Sequence, residues 1–362
     1  MTLEGGVADK ADGAGANERA APAVNECPID PSLLKILRCP RCGSTLEANA
    51  STLRCGKSGE TFEVLDGVPL LWGDGERDTK LDLEYDKVHA INERASRQMG
   101  KDWHALLQEI SHRPGVVLEL GAGTGAFTKG FLELCAPDRL VATDVSQAFL
   151  TPLVAMLKKR GAPVEGVVYD ANTNVFSEGS FDTVVGRSVL HHLLDYADTL
   201  RAAKDLLRDG GVAIFFEPVR QGKAIVSLMI ALVLKAHEAG LQNVLSEEEQ
   251  NKLRFLLKHQ TKSGWLLQDR KNLKAREDKF IFHRDELLAL GSELGYSRSS
   301  YHDAGAVDQT YWVYFKHHVA MLGIAPETIQ SLRWVCEAFG ESYGLVLSDD
   351  MVRPMGFFVF QK

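Results

Sequence analysis

The chain has 362 residues, enough for one large domain with a small additional module or for two modest domains. Its composition, 45% hydrophobic and 25% charged, is that of a globular protein, and its formal net charge of −8 argues against a broad nucleic-acid-binding surface. The six cysteines are too few and too unevenly spaced for a disulfide scaffold, so we expect a reducing, cytoplasmic location.

The N-terminal segment, residues 1–30, contains alanine, glycine and charged residues but no apolar stretch. We therefore expect a disordered tail rather than an export signal. The longest apolar run, residues 224–234, is shorter than the roughly 20 residues that span a bilayer. A transmembrane anchor is not expected, while a peripheral contact with lipid remains open.

The next regions differ in their periodicity. Residues 31–75 form a cysteine-bearing module, and residues 80–110 have the apolar spacing of an amphipathic helix. Residues 115–219 alternate short apolar strands with helical stretches, the pattern of a parallel sheet wrapped by helices. The predicted strands are Val116–Leu120, Leu140–Thr143, Val164–Tyr169, Thr183–Gly186 and Val212–Phe216.

The C-terminal part has helical inserts at about 220–279 and 308–343 and a strand pair near Ser297–Tyr301 and Met355–Phe360. Residues 80–362 are thus predicted to form one α/β domain, a doubly wound and mostly parallel sheet. The helical inserts are expected to cover its cleft, because decoration of this kind is how such folds acquire specificity. Oligomer formation through the inserts remains open.

The stretch VVLELGAGTGAFTKGF, residues 116–131, is a strand followed by glycines on alternate positions and then a helix. Gly121, Gly123 and Gly125 would let the backbone approach a ligand and point free amide groups at it. A dinucleotide-binding turn has a related spacing, with Ala126 here as an allowed variant at its last position. The turn alone therefore does not decide between ligands.

Three acidic residues favour a ligand without phosphate. Glu119 lies just before the turn, where a carboxylate would attract a cationic amino group and repel a pyrophosphate. Asp144 closes the next strand, where it could accept hydrogen bonds from two ribose hydroxyls, and Asp170 closes the third, where it could take an adenine amine. The alternative for each acid is a solvated cap or turn.

In this order the segments LELGAGTG, ATDVS, YDAN, FDTVVGRSVLHHL and LLRDGGVAIFFEP resemble the class I S-adenosylmethionine-dependent methyltransferases. The resemblance covers residues 115–219 strongly and 280–362 more loosely. It implies a seven-stranded sheet with an antiparallel last strand, and S-adenosylmethionine as the cofactor. It places the cofactor against Glu119, Gly121, Ala122, Gly123, Gly125, Asp144, Val145, Asp170, Ala171, Arg187 and Ser188.

A general base is needed if the acceptor loses a proton on methylation. Residues just past the fourth and fifth strands are the first candidates, because ligands lie beyond the carboxyl ends of the strands in such sheets. These are His191, His192 and Glu217, whose carboxylate we expect to face the cleft because Pro218 turns the chain out of the sheet. Capping, packing or turn roles are the alternatives.

The inserts contribute a second set of candidates. The cluster YWVYFKHH could form a substrate wall with polar tips, or it could be ordinary core. The charged segment QDRKNLKAREDK, residues 268–279, is most simply a solvated helix face, with the binding of an anionic acceptor as the alternative. The insert residues considered are His283, Tyr311, Trp312, Tyr314, His317 and His318.

The cysteine module reads Cys39-x2-Cys42, twelve residues, then Cys55-x2-Ser58. With the sequences before and after it, the module resembles the zinc ribbon of the small activator subunit of tRNA and rRNA methyltransferases. The resemblance implies a structural zinc at Cys39, Cys42 and Cys55, with serine where the fourth cysteine belongs. Cys27 could substitute, or the module could have kept its fold without the metal.

The resulting hypothesis is a methyltransferase that acts on a small-molecule, sugar or glycolipid acceptor, with oxygen as the favoured atom and carbon and nitrogen still open. The first alternative is an RNA methyltransferase that uses the ribbon to bind its substrate, although the net charge of −8 makes nucleic acid an unlikely partner. The second is a non-enzymatic binding protein that retains an inactive cofactor fold.

Overall fold

A computed structural model describes residues 29–71, 92–262, 273, 278–303, 307–344 and 353–362. The predicted tail up to residue 28, Cys27 included, lies outside the described residues. So does the first part of the predicted amphipathic helix, residues 80–91; its remainder is helical from Glu93 to Glu109.

The N-terminal module is a short helix followed by a small antiparallel sheet in the order β1-β2-β3-β4. Its elements are α1 (Pro31–Ile36), β1 (Glu47–Asn49), β2 (Thr52–Arg54), β3 (Thr61–Leu65) and β4 (Val68–Pro69). The side chain of Asp30 accepts the backbone N–H groups of Ser32 and Leu33 and so caps the helix.

A seven-stranded sheet forms the centre of the molecule, in the order β10-β11-β9-β8-β5-β6-β7. The central strands pair in parallel, whereas β11 runs antiparallel between β9 and β10. The strands are β5 (Val116–Leu120), β6 (Arg139–Asp144), β7 (Val164–Val168), β8 (Phe181–Arg187), β9 (Leu207–Pro218), β10 (Arg298–Asp303) and β11 (Met355–Gln361).

Helices cover both faces of this sheet, because the strands alternate apolar side chains toward two separate cores. The predicted fold class is therefore confirmed, including the antiparallel last strand. The flanking helices are α2 (Glu93–Glu109), α3 (Ala126–Cys135), α4 (Gln147–Lys159), α5 (Tyr196–Leu206) and α8 (Arg284–Glu293).

The helical inserts form a third apolar core of their own, in which residues such as Val226, Ile230 and Phe315 are buried. Its helices are α6 (Arg220–Glu238), α7 (Glu247–Lys262), α9 (Val307–Ala320), α10 (Pro326–Ser331) and α11 (Trp334–Gly344). Among the described residues no helix combines the length and the apolar character needed to cross a bilayer.

The module contacts the outer edge of the large sheet. Leu70, which follows β4, forms a parallel bridge with Val168 of β7, and the Leu71 N–H donates to the Val168 carbonyl over 2.8 Å. On the other side, Leu37 forms an antiparallel bridge with Phe176. The module therefore continues the sheet beyond β7.

Candidate functional site: the carboxyl edge of the sheet

The glycine turn joins β5 to α3, and its three glycines have φ angles of +72° (Gly121), +52° (Gly123) and +86° (Gly125). Gly125 also needs its small size, because a Cβ there would lie 2.2 Å from Leu153 Cδ1. Gly123 differs, because a Cβ at this position would meet nothing within 4 Å. The middle of the turn therefore presents backbone to open space, which a ligand could fill.

Glu119 is buried directly beneath this turn, with 1% of its surface exposed. Its Oε1 accepts a hydrogen bond from Thr128 Oγ1 over 2.9 Å, whereas its Oε2 is buried with no hydrogen-bond partner among the described residues. Burial raises the pKa of Glu119 to about 8, and the charge of Asp144 adds to the rise. A cationic group entering the site would satisfy Oε2 and hold the carboxylate ionised.

Asp144, at the end of β6, is tied to the glycine turn. Its Oδ2 accepts from the Gly123 N–H over 2.7 Å, and its Oδ1 accepts from the Ser146 N–H over 2.8 Å. An ionised carboxylate has about four acceptor positions, more than these two hydrogen bonds occupy. Beside it, Val145 is an apolar side chain with 56% exposure, which a flat apolar ligand could cover.

Asp170 follows β7, the strand that pairs with β6, and its Oδ1 accepts from the backbone N–H and the side-chain amide of Asn172. Ala171, next in the chain, is half-buried. These residues follow neighbouring parallel strands at one edge of the sheet, as the sequence predicted for the acids. The geometry suits an adenosine with a cationic amino-acid chain.

Comparison with known proteins agrees with this geometry. Residues 118–213 match a protein family described as a methyltransferase domain. This stretch of the chain is therefore a methyltransferase domain. The matched residues run from β5 into β9 and include the glycine turn, Asp144, Asp170 and the two candidate histidines.

Several curated proteins are similar to this domain. A polyketide synthase-nonribosomal peptide synthetase from Aspergillus clavatus is 35% identical over 121 residues, which cover 31% of this chain and 3% of that protein. The polyketide synthase ThaQ from Burkholderia thailandensis is 36% identical over 110 residues, covering 28% of this chain and 5% of that protein. This chain thus matches only a small part of much longer relatives.

Among solved structures, the phosphoethanolamine N-methyltransferase 2 of Haemonchus contortus in complex with S-adenosyl-L-methionine is similar to this chain. It has a TM-score of 0.45 and 13% identity, covering 78% of this chain and 56% of that one. A similarity at this level is too low to transfer a function.

Arg187 and Ser188 lie where β8 ends. The Arg187 guanidinium lies 5.5 Å from the centre of the Phe216 ring, and the Ser188 N–H donates to the Phe216 carbonyl over 2.9 Å. Ser188 has a φ of +56°, an uncommon conformation for a residue with a side chain. Backbone strain of this kind is often found beside ligand sites.

Glu217, near the end of β9, is fully buried. Its Oε1 accepts from the backbone N–H groups of Val189 and Leu190, over 2.9 and 2.8 Å, and its Oε2 lies 2.6 Å from His191 Nδ1. The expectation that this carboxylate faces an open cleft is therefore wrong. It faces inward because it satisfies the backbone donors at the start of the turn Leu190–His192.

His191 is held between two carboxylates. Its Nδ1 faces Glu217, and its Nε2 lies 3.3 Å from Asp278 Oδ1, which is also 3.6 Å from His192 Nδ1. Burial alone would lower the pKa of His191, but Glu217 and Asp278 outweigh it and raise the pKa to about 9. The hydrogen bond from His191 in turn holds the pKa of Asp278 well below its usual range.

Sequence reasoning missed Asp278, because it lies in the charged segment interpreted as a solvated helix face; most of that segment is outside the described residues. In the structure its side chain is exposed and lies against both histidines. The signal available in the sequence was only a run of charges, which does not distinguish one acid from its neighbours.

The aromatic residues of α9 lie on two faces of the helix. Tyr311 and Phe315 are buried in the core of the inserts, whereas Tyr314 and His318 lie on a neighbouring face with ring centres 4.1 Å apart. Lys223 of α6 approaches this second face, with its Nζ 5.6 Å from the centre of the Tyr314 ring. The core interpretation therefore describes Tyr311 and Phe315, whereas the substrate-wall interpretation of the other face stays a prediction.

The cysteines of the N-terminal module come together as their spacing predicts. The three sulfur atoms of Cys39, Cys42 and Cys55 lie within 4.8 Å of one another, with Cys42 and Cys55 only 3.5 Å apart. Ser58 Oγ is 3.5 Å from Cys39 Sγ, so the serine completes the group. Thiolates around a tetrahedral zinc lie about 3.8 Å apart, given Zn–S bonds of about 2.3 Å. The donors therefore fit the metal.

We predict that Asp144→Ala weakens the binding of S-adenosylhomocysteine, measured by calorimetry, by at least about tenfold, because hydrogen bonds to a charged group contribute about 1.5–3 kcal/mol. Asp138→Ala is the matched control, since Asp138 is an exposed acid just before the start of the same strand. Wild-type affinity in a folded Asp144→Ala protein would contradict the assignment of Asp144.

Proposed function

We propose that the protein transfers a methyl group from S-adenosylmethionine to the oxygen of a small-molecule acceptor that loses a proton in the reaction. The observation that supports this most directly is the placement of His191 between Glu217 and Asp278 at the ligand-binding edge of the sheet. The similarity to parts of polyketide synthases supports an acceptor of the secondary-metabolite class, such as an enol or a phenol.

The residues of the carboxyl edge suit the cofactor in detail. The unpartnered Oε2 of Glu119 would meet its ammonium group, the open backbone at Gly123 its amino-acid chain, and Asp144 its ribose hydroxyls. Asp170 would take the adenine amine, with Val145 and Ala171 against the ring. When bound, S-adenosylmethionine supplies an electrophilic methyl group on a positively charged sulfur.

His191 is the proposed base. Glu217 is buried, its Oε1 accepts two backbone N–H groups, and its Oε2 holds the Nδ1 side of the His191 ring toward itself. When the ring is neutral, the Nε2 atom, which lies 3.3 Å from Asp278 Oδ1, can take the proton of the acceptor hydroxyl, and Asp278 stabilises the imidazolium that forms. Glu217 is thus proposed as a positioning residue, because the groups it touches are His191 and the backbone of the turn.

The decisive experiment is methyl transfer from carbon-labelled S-adenosylmethionine into a fractionated cell extract. We expect the label in a small molecule, with the NMR shift of a methyl group on oxygen. His191→Asn should lower the rate by about a hundredfold or more, because general-base catalysis typically contributes that much. His104→Asn, a change of an exposed histidine on α2, is the control.

Label recovered only in RNA would contradict the proposal and favour the alternative in which the ribbon binds an RNA substrate. A labelled methyl group on carbon or nitrogen would contradict the choice of oxygen while leaving the transfer itself intact. An unchanged rate in His191→Asn would remove this histidine from the reaction.

The activity should also depend on pH in a defined direction. A base must be deprotonated to act, and because the pKa of His191 is raised to about 9, kcat/KM should rise with pH until it levels off near that value. Asp278→Asn removes one of the two charges that raise this pKa, so the rising limb of the pH profile of kcat/KM should move to lower pH. Asp285→Asn, an exposed acid of α8, should leave the profile unchanged. A limb that stays in place in Asp278→Asn would contradict this role.

We also propose that the N-terminal module binds a structural zinc through Cys39, Cys42 and Cys55, with the Ser58 hydroxyl at the fourth corner. The purified protein should contain about one zinc per chain, measured by mass spectrometry of the metal. Ser58→Cys should slow the loss of zinc to a chelator, because a thiolate is the better ligand.

Ser51→Cys adds a thiol at an exposed position of the same module and should not change the rate of zinc loss. Zinc absent from the wild type and from Ser58→Cys alike would contradict the metal site and leave the module as a metal-free contact element.

A further inference from the structure

Lys223 lies in the first turn of α6, immediately after β9, and is half-buried. The contact that its Nζ makes is with the face of the Tyr314 ring, at 5.6 Å from the ring centre. Across the part of the chain that the structure describes, this ammonium group has no hydrogen bond and no carboxylate within ion-pair distance. Its positive charge therefore stays available to an anion that approaches this part of the molecule.

Other cationic and neutral polar groups share the space around Lys223. Burial lowers the pKa of His317, and the charges of Arg187 and Lys223 lower it further. Burial likewise lowers the pKa of His318 to about 4, again helped by Lys223. Lowered pKa values favour the neutral form of both imidazoles, and a neutral imidazole is not a counter-ion for the lysine.

The nearest acid does not serve Lys223 either. Asp278 influences the lysine through its charge, but its carboxylate lies against His191 and His192 rather than in contact with Nζ. Burial lowers the pKa of Lys223, and the charge of Asp278 offsets only part of that effect. An excess of positive charge at Lys223 thus lies within electrostatic range of Asp278, the acid that contacts the proposed base, in a chain whose net charge is −8.

We propose that this excess is a binding site for an oxyanion of the acceptor, a carboxylate or a phosphate, held by Lys223 with Tyr314 and His317 beside it. The inference rests on the proposed function, because it assigns the anion to the molecule that is methylated. Because Lys223 follows the end of β9, where Glu217 contacts His191, an anion held by Lys223 would bring the acceptor to the same edge of the sheet as the proposed base. The site therefore selects for acidic acceptors and orients them.

The test uses the full-length protein saturated with S-adenosylhomocysteine and three simple probes: benzoate, phenyl phosphate and the neutral benzamide. We expect at least one of the two oxyanions to bind about tenfold more tightly than benzamide in calorimetry, as a charge-assisted contact requires. Lys223→Met should remove this preference, and Lys223→Arg should keep it. Lys235→Met, which changes an exposed lysine near the end of the same helix, should have no effect.

The outcomes separate the two proposals. Tighter binding of benzoate identifies a carboxylate, and tighter binding of phenyl phosphate identifies a phosphate; either result supports the oxyanion site. Equal binding of all three probes, binding of none, or an unchanged preference in Lys223→Met overturns it while the cofactor still binds. Failure of S-adenosylhomocysteine to bind the wild type would instead overturn the proposed function. Cofactor affinity and circular dichroism of Lys223→Met show whether the variant is folded.

Discussion

The carboxylate of Glu217 is the group on which the proposed catalytic arrangement depends. This buried carboxylate accepts hydrogen bonds from the backbone N–H groups of Val189 and Leu190, and it fixes the ring of His191 at the same time. A buried carboxylate is costly unless it is fully hydrogen-bonded, and here each of its oxygens has a partner. The position of the histidine is thus set by the same contacts that close the turn, so its orientation is part of the fold.

The acidic residues at this edge of the sheet differ in how completely the protein itself supplies their hydrogen-bond partners. Glu217 has its partners within the protein, whereas Glu119 has one oxygen without any among the described residues. Asp144 is intermediate, since its carboxylate supports the glycine turn and is only half-buried. We interpret this difference as a division between acids that build the site and acids that bind the ligand, because only an unsatisfied group gains from a partner that arrives later.

The sequence was sufficient for the sheet and for the placement of the strand-end acids at its carboxyl edge. Alternation of apolar strands with helices predicts that the strands pair in parallel. The carboxyl ends of parallel strands lie at the same edge of the sheet, so residues at the strand ends, such as Asp144 and Asp170, lie at that edge. The sequence predicted the acceptor side of the site less well. The inward direction of Glu217 depends on which backbone donors it meets, and Asp278 reaches His191 from a distant segment that has no periodic pattern. Contacts of this kind are decided by tertiary packing, which local patterns do not encode.

The bridge between Leu70 and Val168 has a consequence for the solubility of the protein. An outermost strand normally offers a row of unpaired amide and carbonyl groups to other molecules, and such rows template aggregation. Here the small N-terminal sheet covers part of that row on β7. Deleting the module would expose this edge, so a shortened chain would be prone to self-association even with its cofactor pocket intact.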